Sequence, residues 1–97
     1  MLNVGADTPC TLNELAHRVA RAMGVPPDVV HLPPRHEVRH VHASHARLAE
    51  VFGARPHTPL DEGLERMAAW VRAHGARESV PFGHIEIPRG LPASWLM

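Results

Sequence analysis

Apolar residues recur at Leu12, Leu15, Ala16, Val19 and Met23, the spacing that lines one face of an α-helix. Thr11-Leu12-Asn13-Glu14 opens the run as a capping box, in which the Thr11 hydroxyl accepts from the Glu14 amide while the Glu14 carboxylate reaches back. Gly24 closes the helix, and Pro26-Pro27 keep it from resuming. A second stripe, Leu60, Leu64, Met67, Ala68 and Val71 with Trp70 at its flank, predicts another helix. Thr58 caps it, Pro59 takes the first helical position, Asp61 places an acid in the first turn and Gly75 stops it. Between the two, Ser44 caps a short helix carrying Ala46, Leu48, Ala49, Val51 and Phe52, ended by Gly53.

Other segments read as extended. Leu2-Asn3-Val4-Gly5 has the pattern of a strand end whose earlier part lies outside the sequence, and Ala6-Asp7-Thr8-Pro9 is a turn. Val29–Leu32 is a short extended run, and Pro33-Pro34 hold the next residues out of helix. Glu37–Ala43 alternates, with Val38, His40 and His42 on one face and Arg39, Val41 and Ala43 on the other. Past the third helix, Val80–Gly83 and Ile85–Pro88 are extended, and Leu91–Trp95 ends in an apolar anchor. The expected fold is α+β, with three helices and two or three short strands. Residues 1–75 form the lobe and residues 76–97 an extended tail.

Ninety-seven residues make one small domain, and 44% hydrophobic against 21% charged residues is a globular composition. Ten acids balance ten bases, so no overall field draws nucleic acid or a membrane surface. All ten bases are arginine, which excludes a lysine base or Schiff base. Cys10 is the single cysteine, so no disulfide forms within the chain, and it has no paired base to make it a nucleophile. With no apolar run of membrane length and no leader pattern, a cytoplasmic setting is expected.

Chemistry concentrates between Pro33 and His45, where two arginines, one glutamate and four histidines fall within thirteen residues. His36, His40, His42 and His45 are potential zinc ligands, although their spacing fits no standard zinc motif. Arg35 and Arg39 suit an anion, because guanidinium forks match phosphate oxygens, and Glu37 between them can accept from a sugar hydroxyl or orient an arginine. The residues alone leave both readings open. No assembled nucleophile, base and oxyanion set is found anywhere in the chain.

The order of these elements resembles a known family. Asn3-Val4-Gly5-Ala6-Asp7-Thr8-Pro9, Thr11-Leu12-Asn13-Glu14-Leu15-Ala16, Arg35 with Glu37-Val38-Arg39-His40, Arg47 with Phe52-Gly53, and Leu60-Asp61-Glu62-Gly63-Leu64 with Trp70 succeed one another along the chain. They look like the carboxyl-terminal part of NAD-dependent nucleotide-sugar epimerases and dehydratases, extended short-chain dehydrogenase/reductase enzymes that include UDP-glucose 4-epimerase. The likeness spans roughly residues 2–74, and the tail looks like the end of some bacterial members.

The resemblance implies a substrate-binding lobe that holds a nucleotide diphosphate sugar. The arginine matching Arg35 grips the diphosphate, the acid matching Glu37 holds the ribose, and Arg39 matches a frequent second basic position. NAD would be bound by a Rossmann domain encoded upstream, which also carries the Tyr-x-x-x-Lys catalytic pair. This chain has neither tyrosine nor lysine, so no catalytic residue is expected in it. Two departures stand out: the family has one more residue between the arginine and the acid, where only His36 intervenes here, and commonly an aspartate where this chain has Ser44. Two rivals remain: a non-catalytic interaction module, and a histidine-rich metal protein.

Overall fold

The computed structural model describes residues 1–80, 83, 89–91 and 93. Its elements are α1 (Leu12–Met23), α2 (Ala46–Phe52) and α3 (Leu60–His74).

Helix α1 adheres closely to its sequence pattern. Thr11 is extended, its hydroxyl accepts from the Glu14 N–H at 3.1 Å, and a Glu14 carboxylate oxygen accepts from the Thr11 N–H at 2.9 Å. At the other end Gly24 adopts φ 69°, and the N–H groups of Gly24 and Val25 donate back to Arg21 and Ala20, the Schellman arrangement that satisfies the last carbonyls. The Thr11 backbone N–H, helped by its hydroxyl, holds the Glu14 carboxyl below the usual carboxylate range. A depressed value stabilises the fold above the ordinary glutamate pKa of about 4.3, and that contribution disappears as pH falls through the lowered value. Ellipticity at 222 nm is therefore expected to fall on acidification below about pH 4. Thr11→Ala is expected to cost α1 about 1 kcal/mol and to reduce helicity at neutral pH; unchanged helicity would contradict the capping account.

Helices α2 and α3 begin differently from expectation. Ser44 does not cap α2. Its hydroxyl accepts only a long 3.4 Å contact from the Ala46 N–H, a local turn interaction, and His45 is the N-cap residue without a side-chain bond of its own to the helix. In α3 the N-cap residue is Pro59 rather than Thr58, again with no side-chain cap; the Gly63 N–H donates to the Pro59 carbonyl at 3.0 Å. Asp61 and Glu62 occupy the positive end of α3, and Glu62 pairs with Arg66 one turn on.

The α+β expectation is overturned: the structure is all-helical, with three helices and no strand among the described residues. A strand exists only through hydrogen bonds to a neighbour. Leu2–Gly5, Val29–Leu32 and Glu37–Ala43 form no ladder with one another. Four prolines at 26, 27, 33 and 34 remove donors, and a tight turn at Arg35–Glu37 interrupts the alternation at its start. The expected extended segment Ile85–Pro88, residues Pro81 and Phe82 of the other, and the expected anchor at Trp95 lie outside the described residues.

Among the described helices, packing of one on another is confined to α1 against α3. Ala20 and Ala68, 8% and 4% exposed, are the buried apolar residues, and Leu15, Ala16, Leu64 and Val71 are half-buried around them. Asp61, at the start of α3, pairs with Arg18 at 3.1 Å, and Arg72, near its end, donates to the Ala22 carbonyl at 2.8 Å. The Arg18–Asp61 pair is solvated and contributes at most about 1 kcal/mol; together the two ties set orientation more than stability.

Many other apolar positions are open. Leu12, Val19 and Met23 on α1, Phe52 on α2 and Met67 and Trp70 on α3 are exposed. The chain exposes 9554 Å², where a closed monomer of this mass exposes about 5,500 Å². Hydrophobic faces that the sequence pattern assigns to a core are thus left uncovered.

Candidate anion-binding loop

Residues 25–45 join α1 to α2 without regular structure and carry the candidate site. The first part returns along α1, where Val25–Val29 and the apolar face of the helix line an open groove of about 560 Å³. His31 Nε2 meets the Asn13 side-chain oxygen at 3.0 Å and pins the loop there. From Leu32 to Ser44 every residue is exposed. The loop is fastened again at His45, whose Nδ1 lies 2.7 Å from Asp7 Oδ1.

Arg35 and Glu37 are brought together. The Glu37 N–H donates to the Arg35 carbonyl at 2.8 Å, a turn closed within three residues, and the two side chains form an ion pair. Having only His36 between them is what makes the turn so tight. Both side chains stay about half exposed, so the pair is open to a ligand and screened by water. Arg39 lies two residues beyond, exposed, and makes no ion pair with another described residue. No sheet edge presents the two arginines; they project from an irregular loop.

The histidines diverge in role. His36, His40 and His42 are exposed, and among the described residues no group of three or more histidine, cysteine, aspartate or glutamate side chains is placed to hold a metal. His45 differs: its side chain is only 10% exposed and it holds Asp7. The Asp7 carboxyl is held below the usual range, chiefly by that hydrogen bond, with smaller contributions from the charges of His57 and His42. Sequence reasoning missed this contact. Its partners are 38 positions apart, and no periodicity or motif links them.

A second cleft, of about 400 Å³, lies over Asn13, Glu14, His17, Arg18, Arg21 and Asp61. Arg18 is already paired with Asp61, and acids and bases there nearly balance, so it is a weaker anion site than the loop. No helix among the described residues is long and apolar enough to cross a membrane. The chain matches no family model, no characterised protein and no solved structure.

Proposed function

We propose that this chain is the substrate-holding portion of an NAD-dependent nucleotide-sugar epimerase or dehydratase, and that Arg35, Glu37 and Arg39 face the nucleotide diphosphate sugar. The observation that carries the reading is the ordered series of residues from Asn3 to Trp70, with two arginines and an acid on the exposed loop between the first two helices. Arginine is the side chain best suited to a diphosphate, because its planar fork gives paired hydrogen bonds that a point charge cannot. Arg39, with no competing carboxylate among the described residues, is the principal grip. Arg35 is shared with Glu37, so part of its attraction is already taken up by the neighbouring acid. Glu37 in turn is placed to accept from a ribose hydroxyl once the diphosphate takes up the guanidinium.

The uncovered apolar faces of α1 and α3 support the same reading. A lobe that completes its core against a Rossmann-type domain has to present such faces. NAD and the acid/base chemistry belong to that domain, and the NAD cofactor is assigned to no residue of this chain.

The test is a titration of UDP-glucose into the chain, monitored by ³¹P chemical shifts. Two solvated arginines hold a diphosphate weakly, at about millimolar affinity, or roughly 4 kcal/mol. Arg39→Ala is expected to weaken binding about tenfold and Arg35→Ala several-fold, within the range for lost charge-assisted hydrogen bonds. Equal affinity in wild type and both variants would overturn the assignment.

A further inference from the structure

We propose that Asp7 and His45 are positioning residues for the arginine-bearing loop: a staple that keeps Arg35 and Arg39 ready for a diphosphate without touching it. The inference rests on the reading of that loop as the diphosphate site. From Leu32 to Ser44 the chain has no regular structure and every residue is exposed, so little within the segment beyond the Arg35–Glu37 turn fixes where its arginines lie. The helix that follows gives no support from behind, because α2 packs on neither α1 nor α3 among the described residues. The ends of the loop are held by two histidines instead. His31 Nε2 meets Asn13 Oδ1 at 3.0 Å, 18 positions away, and His45 Nδ1 meets Asp7 Oδ1 at 2.7 Å, 38 positions away.

The two ties are unequal. Asn13 and His31 are both exposed, and water competes for their hydrogen bond. The His45 side chain is 10% exposed, while the neighbouring His36, His40 and His42 lie in solvent. A Cβ on Gly5 would lie 2.8 Å from His45 Nε2 and 3.3 Å from its Cε1, so glycine leaves the space the ring occupies. An ionised carboxylate only accepts, so Nδ1 carries the proton and donates to Asp7, a charge-assisted bond made by the neutral ring. With Nε2 turned against Gly5, the pair is arranged to hold the chain and not to act on a substrate.

Held at both ends, the loop has fewer conformations to lose when a diphosphate draws Arg35 and Arg39 together, and a segment ordered beforehand binds more tightly. The charge of Asp7 acts in the opposite direction, because a carboxylate can only repel an anion. Removing Asp7 therefore separates the two effects. A charge effect alone strengthens anion binding, whereas a lost staple weakens it.

The test is titration of the full chain with inorganic pyrophosphate, followed by ³¹P shifts, beside the heteronuclear ¹⁵N NOE of residues 35–39 without ligand; α1 amides are the reference for folding. Asp7→Ala and His45→Ala are each expected to lower the NOE and to weaken pyrophosphate roughly fivefold, the scale of one further side chain to order on binding. The double variant is expected to be no weaker than either single one, because the same staple is broken once. Gly5→Ala, which displaces the ring, is expected to match them. His45→Asn, which keeps a neutral donor at the Nδ1 position, is expected to recover most of the affinity. Unchanged or tighter binding in Asp7→Ala, unchanged binding in His45→Ala, or additive losses in the double variant would overturn the proposal. If Arg39→Ala still weakens binding in that case, the staple alone fails. If pyrophosphate does not bind wild type, or binds Arg39→Ala equally, the loop is not the site and the positioning role falls with it.

Discussion

Ala68→Glu is expected to separate α3 from α1 and abolish any cooperative thermal transition. Ala68 is the most buried residue described, 4% exposed, on one of the two helices that pack against each other. Desolvating a polar group without a partner costs more than about 2 kcal/mol, and a carboxylate more. A domain of ordinary packing survives that loss within a total of about 5–15 kcal/mol. Among the described residues Ala20 and Ala68 are the buried ones, which leaves little reserve against such a loss. Met67→Glu, one residue away but 66% exposed, is the control; surface substitutions change stability by about 0.5 kcal/mol or less. Thermal melts monitored at 222 nm distinguish the two, and equal melts would show that the α1–α3 contact does not hold the fold.

The second large effect is catalytic silence. Incubated with UDP-glucose and NAD, the pure chain is expected to produce no UDP-galactose and no dehydrated sugar. Reversible hydride transfer on a sugar hydroxyl requires a group that takes and returns the hydroxyl proton. Enzymes of the proposed epimerase and dehydratase class use tyrosine supported by lysine, and this chain contains neither. His45, the histidine with a carboxylate partner, has its other nitrogen packed on Gly5. Turnover by the pure chain, detected by chromatography of the nucleotide sugars, would mean that another group in it supplies the acid/base step.

Local signals are legible in the sequence where one element contains its own instructions. The capping box at Thr11–Glu14, the stop at Gly24 and the extents of all three helices depend on neighbours within a few residues. The caps of α2 and α3 differ from expectation by one residue, because Ser44 and Thr58 have the right chemistry but sit one position too early. The strands fail for a different reason. Alternation along Glu37–Ala43 describes a segment able to join a sheet, but pairing needs a second segment in register, and none of the described residues supplies one. Leu12 shows the same limit: it belongs to the apolar stripe by spacing yet is 80% exposed, because nothing covers that end of α1.

The candidate site is partly legible. Arg35, Glu37 and Arg39 announce anion chemistry by residue type, and the structure brings Arg35 to Glu37 within a turn whose tightness comes from the single residue between them. The metal reading of the same histidines depends on convergence, and His45 turns away to Asp7. That contact joins two parts of the chain through a fold no local pattern encodes.

The central claim is that the loop holding Arg35, Glu37 and Arg39 receives a nucleotide diphosphate sugar. Amide chemical shifts of the ¹⁵N-labelled chain, titrated in parallel with UDP-glucose, inorganic pyrophosphate and glucose, test it most directly. The account predicts that UDP-glucose and pyrophosphate shift residues 35–39, that UDP-glucose binds more tightly because Glu37 adds the ribose contact, and that glucose alone shifts nothing. Shifts confined to the α1 groove, or no shift with either phosphate ligand, would contradict it.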